Sequence, residues 1–325
     1  LSQQSFRELG VSARVVDALA AHSIHTPFPV QSLVLPDALA GLDVLAKSQT
    51  GSGKTLAFAI PIVERTTSGD RRPSALVLVP TRELALQVTA EFAAIGPANG
   101  LRVAAVYGGT PLRSQAERAR SAHILVATPG RLQDLADRRM LDLSAIKILV
   151  LDEADRMLDM GFKPQVDKIL RLVPRNRQTM FFSATLDGEV GTLARSYTSS
   201  PSHFESEPPA DRDSGEIAHR FVAVRPDTKL ETLVQHIRDN EGRTLVFVRT
   251  KRGADKLVRK LAFHQVDAVA MHGDLSQSVR QRALQRFSSG KVPVLVATDV
   301  AARGLDIDDI AHVINYDPPD EDKGY

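Results

Sequence analysis

The sequence predicts an α/β protein of two tandem domains, each a mostly parallel sheet with helices on both faces. Three observations predict it. Apolar runs of four to six residues alternate with amphipathic stretches. That is the pattern of parallel strands covered on both faces and joined by helical crossovers. The 325 residues exceed the usual span of one domain. The alternation lapses once, at 199–214, where Pro, Ser and charge dominate.

In the first part, strands are predicted at 44–47, 75–79, 103–107, 124–128, 148–152 and 179–183. Helices between them include 55–63, 83–94, 111–119 and 162–172. After the lapse, strands are predicted at 218–224, 244–248, 268–271, 294–297 and 312–316, with helices at 229–239, 252–263 and 277–288. The expected division is a first domain over 1–207, a linker over 208–216 and a second domain over 217–325.

Composition excludes several classes. At 43% hydrophobic and 25% charged residues the chain is neither disordered nor collagen-like. It has no cysteine, so disulfides, thiolate metal sites and a cysteine nucleophile are excluded. No apolar run approaches the ~18–20 residues of a membrane span, and no membrane partner is expected. The first residues, Leu1-Ser2-Gln3-Gln4-Ser5-Phe6-Arg7, lack the order of a signal peptide and an initiator Met. The chain is expected to begin inside a longer protein. The net charge is only +2, so any nucleic-acid site must be a local patch.

The sharpest motif is Ser48-Gln49-Thr50-Gly51-Ser52-Gly53-Lys54-Thr55, set between a strand and a helix. Glycines let backbone N–H groups converge on phosphate oxygens at a helix N-terminus. Lys54 can reach β- and γ-phosphates, and the Thr55 hydroxyl can ligate Mg²⁺. Ser48 stands where the first glycine of the motif is usual. The bland alternative is a glycine-rich turn. Downstream, the strand at 148–152 ends in Asp152-Glu153-Ala154-Asp155. Asp152 would hold Mg²⁺, and Glu153 could accept the proton of an attacking water. Asp155 is too far along to share the metal. Taken alone, this could be an acidic helix start.

These elements and several others occur in order, and the chain resembles the DEAD-box family of ATP-dependent RNA helicases, the bacterial members most of all. The resemblance rests on Phe6, Pro27-Phe28-Pro29-Val30-Gln31, the 48–55 loop, Pro80-Thr81-Arg82-Glu83-Leu84-Ala85, Gly108-Gly109, Thr128-Pro129-Gly130-Arg131, the acidic tetrad and Ser183-Ala184-Thr185. It continues through Leu245-Val246-Phe247-Val248, Gln277-Ser278-Val279-Arg280 and the segment from Val296 to Asp306. It implies two RecA-like domains, with ATP and Mg²⁺ as cofactors and RNA as partner. The RNA would be single-stranded or a short duplex, bound without sequence readout.

The resemblance also implies roles. Gln31 reads adenine through both its amide groups. Ile24 and Phe28 depart from the family's usual aromatic and hydroxyl residues, leaving Phe6 to pack near the base. Asp306 contacts the ribose. Arg303 joins Glu153, Lys54 and Asp152 as a catalytic candidate. Thr81, Arg82, Gly109, Thr128 and Arg131 hold the RNA backbone from the first domain, and Gly273 and Thr298 from the second, with Arg249 and Arg280 weaker candidates. Ser183 and Thr185 hydroxyls bond Asp155 and couple the ATP site to interdomain geometry. His272 is read as structural, and no zinc is expected.

The family's closing His-Arg-x-Gly-Arg-x-x-Arg run, just after a Tyr such as Tyr325, does not follow here. The resemblance therefore implies a second domain incomplete at its C-terminus and a chain that hydrolyses ATP weakly. The implied function is local duplex unwinding driven by ATP-coupled domain closure, in the cytoplasm. The alternative is an ATP-gated RNA clamp with little unwinding.

Overall fold

The computed structural model describes residues 4–48, 51–205, 218–299 and 309–318. Gln49, Thr50, Arg303, Asp306 and the expected 208–216 linker lie outside the described residues. The chain divides into two units, Leu1–Ser214 and Gly215–Tyr325.

The first unit runs α1 (Ala13–Ala21), α2 (Pro29–Ala40), β1 (Val44–Lys47), α3 (Lys54–Arg65), β2 (Ala75–Leu78), α4 (Arg82–Ile95), β3 (Val103–Val106), α5 (Leu112–Ser121) and β4 (Ile124–Ala127). It continues through α6 (Pro129–Asp137), β5 (Ile148–Leu151), α7 (Ala154–Asp159), α8 (Lys163–Leu172), β6 (Gln178–Ser183), α9 (Gly188–Tyr197) and β7 (Ser202–Glu205). Its seven strands form a parallel sheet in the order β3-β4-β2-β5-β6-β1-β7. Strand residues alternate between faces. Val44, Ala46, Val77 and Val150 join the core under α1 to α4, while Leu45, Leu76, Leu149 and Leu151 join that under α5 to α9. β2, β4 and β5 are apolar and buried throughout because both faces are covered.

Helices begin directly past strand ends because the sequence places caps there. The Thr81 hydroxyl accepts the Leu84 N–H at 3.2 Å and starts α4 just after β2. Gly41 closes α2 in the left-handed conformation, φ +87°. In the core of this unit, Phe58 is fully buried and packs edge-on against Phe182, centroids 5.3 Å apart, and against Phe92 at 6.3 Å. Phe58→Ala is expected to cost about 3–5 kcal/mol, read as a lower urea midpoint for the first unit's unfolding. A loss below about 1 kcal/mol would mean that the site collapses around the missing ring.

The second unit runs α10 (Lys229–Asp239), β8 (Arg243–Phe247), α11 (Lys251–Phe263), β9 (Ala268–Met271), α12 (Gln277–Ser288), β10 (Val294–Ala297) and β11 (Ile310–Asn315). Its described strands are parallel, in the order β11-β8-β10-β9. Val246, Val294 and Val296 face α10 and α11, and Leu245 and Leu295 face Phe287 of α12.

Two expectations are corrected. Residues 218–224 form no strand, and Phe221, Val222 and Val224 are exposed. An apolar alternation makes a strand only where a neighbour completes its ladder. Conversely, Ser202–Glu205, read as part of the polar lapse, is the edge strand β7. It pairs with β1 from Val44↔Ser202 to Lys47↔Glu205. Among the described residues no helix is long and apolar enough to cross a membrane.

Candidate active site

In the first unit the chemistry gathers at the carboxyl ends of the strands, where open parallel sheets bind ligands. β1, β6 and β5 are neighbours, so the phosphate loop, Ser183 and Asp152 emerge side by side. The Ser48 N–H donates to the Ser183 carbonyl at 2.9 Å, and the Asp152 N–H to the Leu78 carbonyl at 2.9 Å. Gly51 and Gly53 adopt φ +80° and +83°. A Cβ at Gly53 would overlap Phe28 Cδ2 and lie 2.8 Å from Gln31 Nε2. Gly53 is therefore required both by its backbone conformation and by close approach.

Gln31 is fully buried, and it ties α2 to the loop. Its Nε2 donates to the Gly53 carbonyl at 2.8 Å, and its Oε1 accepts the Phe28 N–H at 2.9 Å. One amide hydrogen and one lone pair remain for a ligand. Half of the hydrogen-bonding capacity expected for adenine is thus spent on positioning the loop. Phe6 is 1% exposed and packs in the core.

Lys54 and Thr55 open α3. Lys54 is buried, with Nζ 3.4 Å from Asp152 Oδ1 and 3.9 Å from Glu153 Oε1. Ser52 is buried and Thr55 half-buried. Asp152 is 0% exposed, and neither of its carboxylate oxygens has a hydrogen-bond partner. Buried carboxylate oxygens are ordinarily satisfied. This pair fits a hard dication, which takes oxygen ligands. Among the described residues no group of three His, Asp or Glu side chains could hold a metal alone. A cation here would draw its remaining ligands from Thr55, water and phosphate oxygens.

Glu153 sits at φ +53°, ψ +50°, in the left-handed region. For a glutamate this is strained, and such strain gathers at functional sites. Burial pushes its carboxyl above the ordinary range, and the neighbouring Asp152 charge adds to the effect. Arg156 Nη1 donates to Glu153 Oε2 at 2.6 Å and fixes its direction. A raised carboxyl suits a proton acceptor near neutral pH. The one sequence signal for Arg156 is its spacing, three residues beyond Glu153, which caps the helix that carries Arg156.

Ser183 bonds Asp155 through the backbone. Its Oγ accepts the backbone N–H of Asp155 at 3.3 Å and of Thr185 at 3.4 Å. Asp155 N–H lies at the start of α7, where a free donor needs an acceptor. The link between the acidic tetrad and 183–185 therefore runs through backbone donors.

The other half of the same edge belongs to β3, β4 and β2. It brings together Thr81, Arg82, Gly109, Thr128 and Arg131. The Arg82 guanidinium lies against Gly108 and Gly109, where a Cβ on Gly109, φ +90°, would come 2.6 Å from Nη1. Arg131 Nη1 donates to the Thr110 carbonyl and to Gln115 Oε1, both at 3.0 Å. Gln115 Nε2 in turn bonds the Tyr107 carbonyl and Thr110 Oγ1. Gln115 and Thr110 hold Arg131 in place, and no local spacing marks them in the sequence. Thr81 Oγ1 is engaged as the α4 cap, and Thr128 precedes α6 without a side-chain cap bond.

In the second unit, Gly273 and Thr298 follow β9 and β10, which are adjacent. The Thr298 N–H donates to the Met271 carbonyl at 3.3 Å. Lys251 approaches Gly273 and pairs with Asp274 at 2.6 Å. Arg249 bonds the Pro318 carbonyl at 3.2 Å, and Arg280 is buried in α12. His272 pairs with Asp255 at 2.9 Å.

Residues 28–193 match the DEAD/DEAH box helicase family, and residues 228–325 match the helicase conserved C-terminal domain. The chain is 40% identical to the DEAD-box ATP-dependent RNA helicase CshA of Streptococcus pneumoniae over 323 residues, covering 98% of this chain and 61% of that protein. It is 40% identical to the ATP-dependent rRNA helicase RRP3 of Yarrowia lipolytica, covering 99% of this chain and 68% of that protein. Among solved structures, S. cerevisiae Dbp5 bound to RNA and ADP BeF3 superposes with TM-score 0.84 at 30% identity, covering 98% of this chain and 82% of that one. A DEAD box protein from Methanococcus jannaschii gives 0.61 at 36% identity, covering 97% and 85%. The chain thus spans about three fifths of the length of the first curated relatives it matches, 61% for CshA.

Proposed function

Because the chain belongs to the DEAD/DEAH box helicase family, we propose that it is an ATP-dependent RNA helicase: it binds ATP with Mg²⁺ at the β1-β6-β5 strand ends and RNA at the adjoining β3-β4-β2 ends. The observation that carries this reading is the buried Lys54–Asp152–Glu153 group, whose Asp152 oxygens lack hydrogen bonds beside a phosphate loop. RNA as the partner is supported by the RNA-bound Dbp5 neighbour. ATP and RNA are both cytoplasmic ligands, and a cytoplasmic location is part of the proposal.

The chain's own residues do the following. Backbone N–H groups of the loop and Lys54 bind the β- and γ-phosphates. Thr55 and Asp152 would hold Mg²⁺, which when bound neutralises charge on the transferring phosphoryl group. Glu153 orients a water and takes its proton as the oxygen attacks the γ-phosphorus and the bridging oxygen leaves. β2 and β5 are hydrogen-bonded neighbours, so the RNA half and the ATP half share one border. Backbone contacts by Thr81, Arg82, Thr128 and Arg131 bind RNA without reading its sequence.

Strand separation of a short RNA duplex tests the reading. Separation is expected only with ATP and not with Glu153→Gln. RNA retained without separation would replace the helicase by an ATP-gated clamp. Arg82→Ala and Arg131→Ala should each weaken RNA roughly tenfold or more, as for lost charged hydrogen bonds, with ATP affinity unchanged. RNA affinity unaltered in both would remove the β3-β4-β2 edge from the RNA path.

A further inference from the structure

The helix α11 has two unlike faces. Ala254, Leu257 and Leu261 are buried against the sheet. Arg252, Lys256, Arg259, Lys260 and Phe263 are exposed. At 3.6 residues per turn these five fall in one stripe about 100° wide. The helix's own ion pairs lie elsewhere, Lys251 with Asp274 and Asp255 with His272. Among the described residues none of the four stripe cations forms an ion pair within 4 Å, although the Arg252 charge helps lower the Asp274 carboxyl. Phe263 is 86% exposed at the end of the stripe. Beside it is a cleft of about 300 Å³ lined by Leu230, Lys256, Arg259, Lys260, Phe263 and His264. Arg238 donates to the His264 carbonyl at 2.6 Å and holds that wall.

α11 starts just past the carboxyl end of β8, where Lys251 meets Gly273. It then runs back for about 20 Å and ends at the opposite edge of the sheet. The stripe therefore begins at the strand-end surface and leaves it. Nothing in the hydrolytic site uses it.

We propose that the outer face of α11 is an accessory site for single-stranded RNA, with phosphates on Arg252, Lys256, Arg259 and Lys260 and one base stacked on Phe263. The inference rests on the RNA-binding reading, extended to the second unit's own strand ends at Gly273 and Thr298, with which the stripe is continuous. Cations tracking a backbone with an aromatic platform are the parts of a sequence-tolerant single-strand site. A protein partner would call for a wider apolar centre than one ring.

The test is RNA affinity of the 325-residue chain across a salt series. It uses a short oligouridylate that saturates the strand-end surface and a markedly longer one. Phe263→Ala should weaken the long strand roughly tenfold. Changing the four cations together to Gln should flatten its log–log salt slope by about 2–3, at ~0.7 per phosphate contact. The short strand should be unaffected by either change. Unchanged long-strand affinity and slope would overturn the proposal. So would variants that lose poly-glutamate binding while RNA binding stands, which would make the face a dock for an acidic protein. Arg82→Ala in the same assay separates the two readings. If it spares the short strand, the first unit's RNA surface at β3-β4-β2 is wrong, and the α11 site is still judged by the long-strand slope.

Discussion

Glu153→Gln is expected to lower ATP hydrolysis by roughly 10²–10⁴-fold, the usual contribution of a positioned base, while ATP still binds. The substitution keeps shape and leaves an oxygen to accept from Arg156. It removes only the capacity to take a proton. Single-turnover hydrolysis and nucleotide titration separate the two effects. Hydrolysis near the unsubstituted rate would move the base elsewhere.

The same substitution carries a pH signature. Glu153's carboxyl is raised in the fold, chiefly by burial and then by Asp152. The folded state therefore holds this proton more tightly than the unfolded chain. Stability then falls as pH rises from the ordinary glutamate range through the raised folded value, and the loss persists above it. Glu153→Gln removes that penalty. Its melting temperature should exceed the parent's at neutral pH, and the difference should shrink as pH falls towards the unfolded value. A difference that grows with acidification would contradict the burial of the charge.

Gly53→Ala should abolish tight ATP binding, with a loss of roughly 10²-fold or more, as for reacting groups misplaced by about 1 Å. Two independent costs meet at this residue. The backbone at φ +83° disfavours any Cβ, and the added methyl would overlap Phe28 and crowd Gln31. Relief requires both Phe28 and the buried Gln31 to move, and moving Gln31 disturbs the Gln31–Gly53 hydrogen bond. Nucleotide affinity by calorimetry checks it, with circular dichroism to show that the sheet persists. Binding at parental affinity would mean that the loop does not need this conformation.

Much of the site was legible because it is local. The loop of glycines with Lys54 and Thr55 needs only a strand before it and a helix after it. Asp152 and Glu153 need only to close a buried strand. Strand β1 appears at its predicted bounds, since three buried apolar residues closed by Lys47 leave little choice of frame. What failed depends on distant pairing. β7 reads Ser202-His203-Phe204-Glu205 and becomes a strand only because β1 presents a free edge. Residues 218–224 carry the alternation and form no strand among the described residues. Gln31 bonding Gly53 spans 22 positions, and Gln115 bonding Arg131 spans 16. No local period reports either.

The most direct test of an ATP site that controls an RNA site is RNA affinity under three conditions: no nucleotide, ADP, and a non-hydrolysable ATP analogue with Mg²⁺. If both ligands favour one state, each raises the other's affinity by the same factor. RNA should bind more tightly with the analogue than with ADP or nothing, and Asp152→Asn should erase the difference. RNA affinity identical in all three conditions, with the analogue shown to be bound, would contradict the coupling.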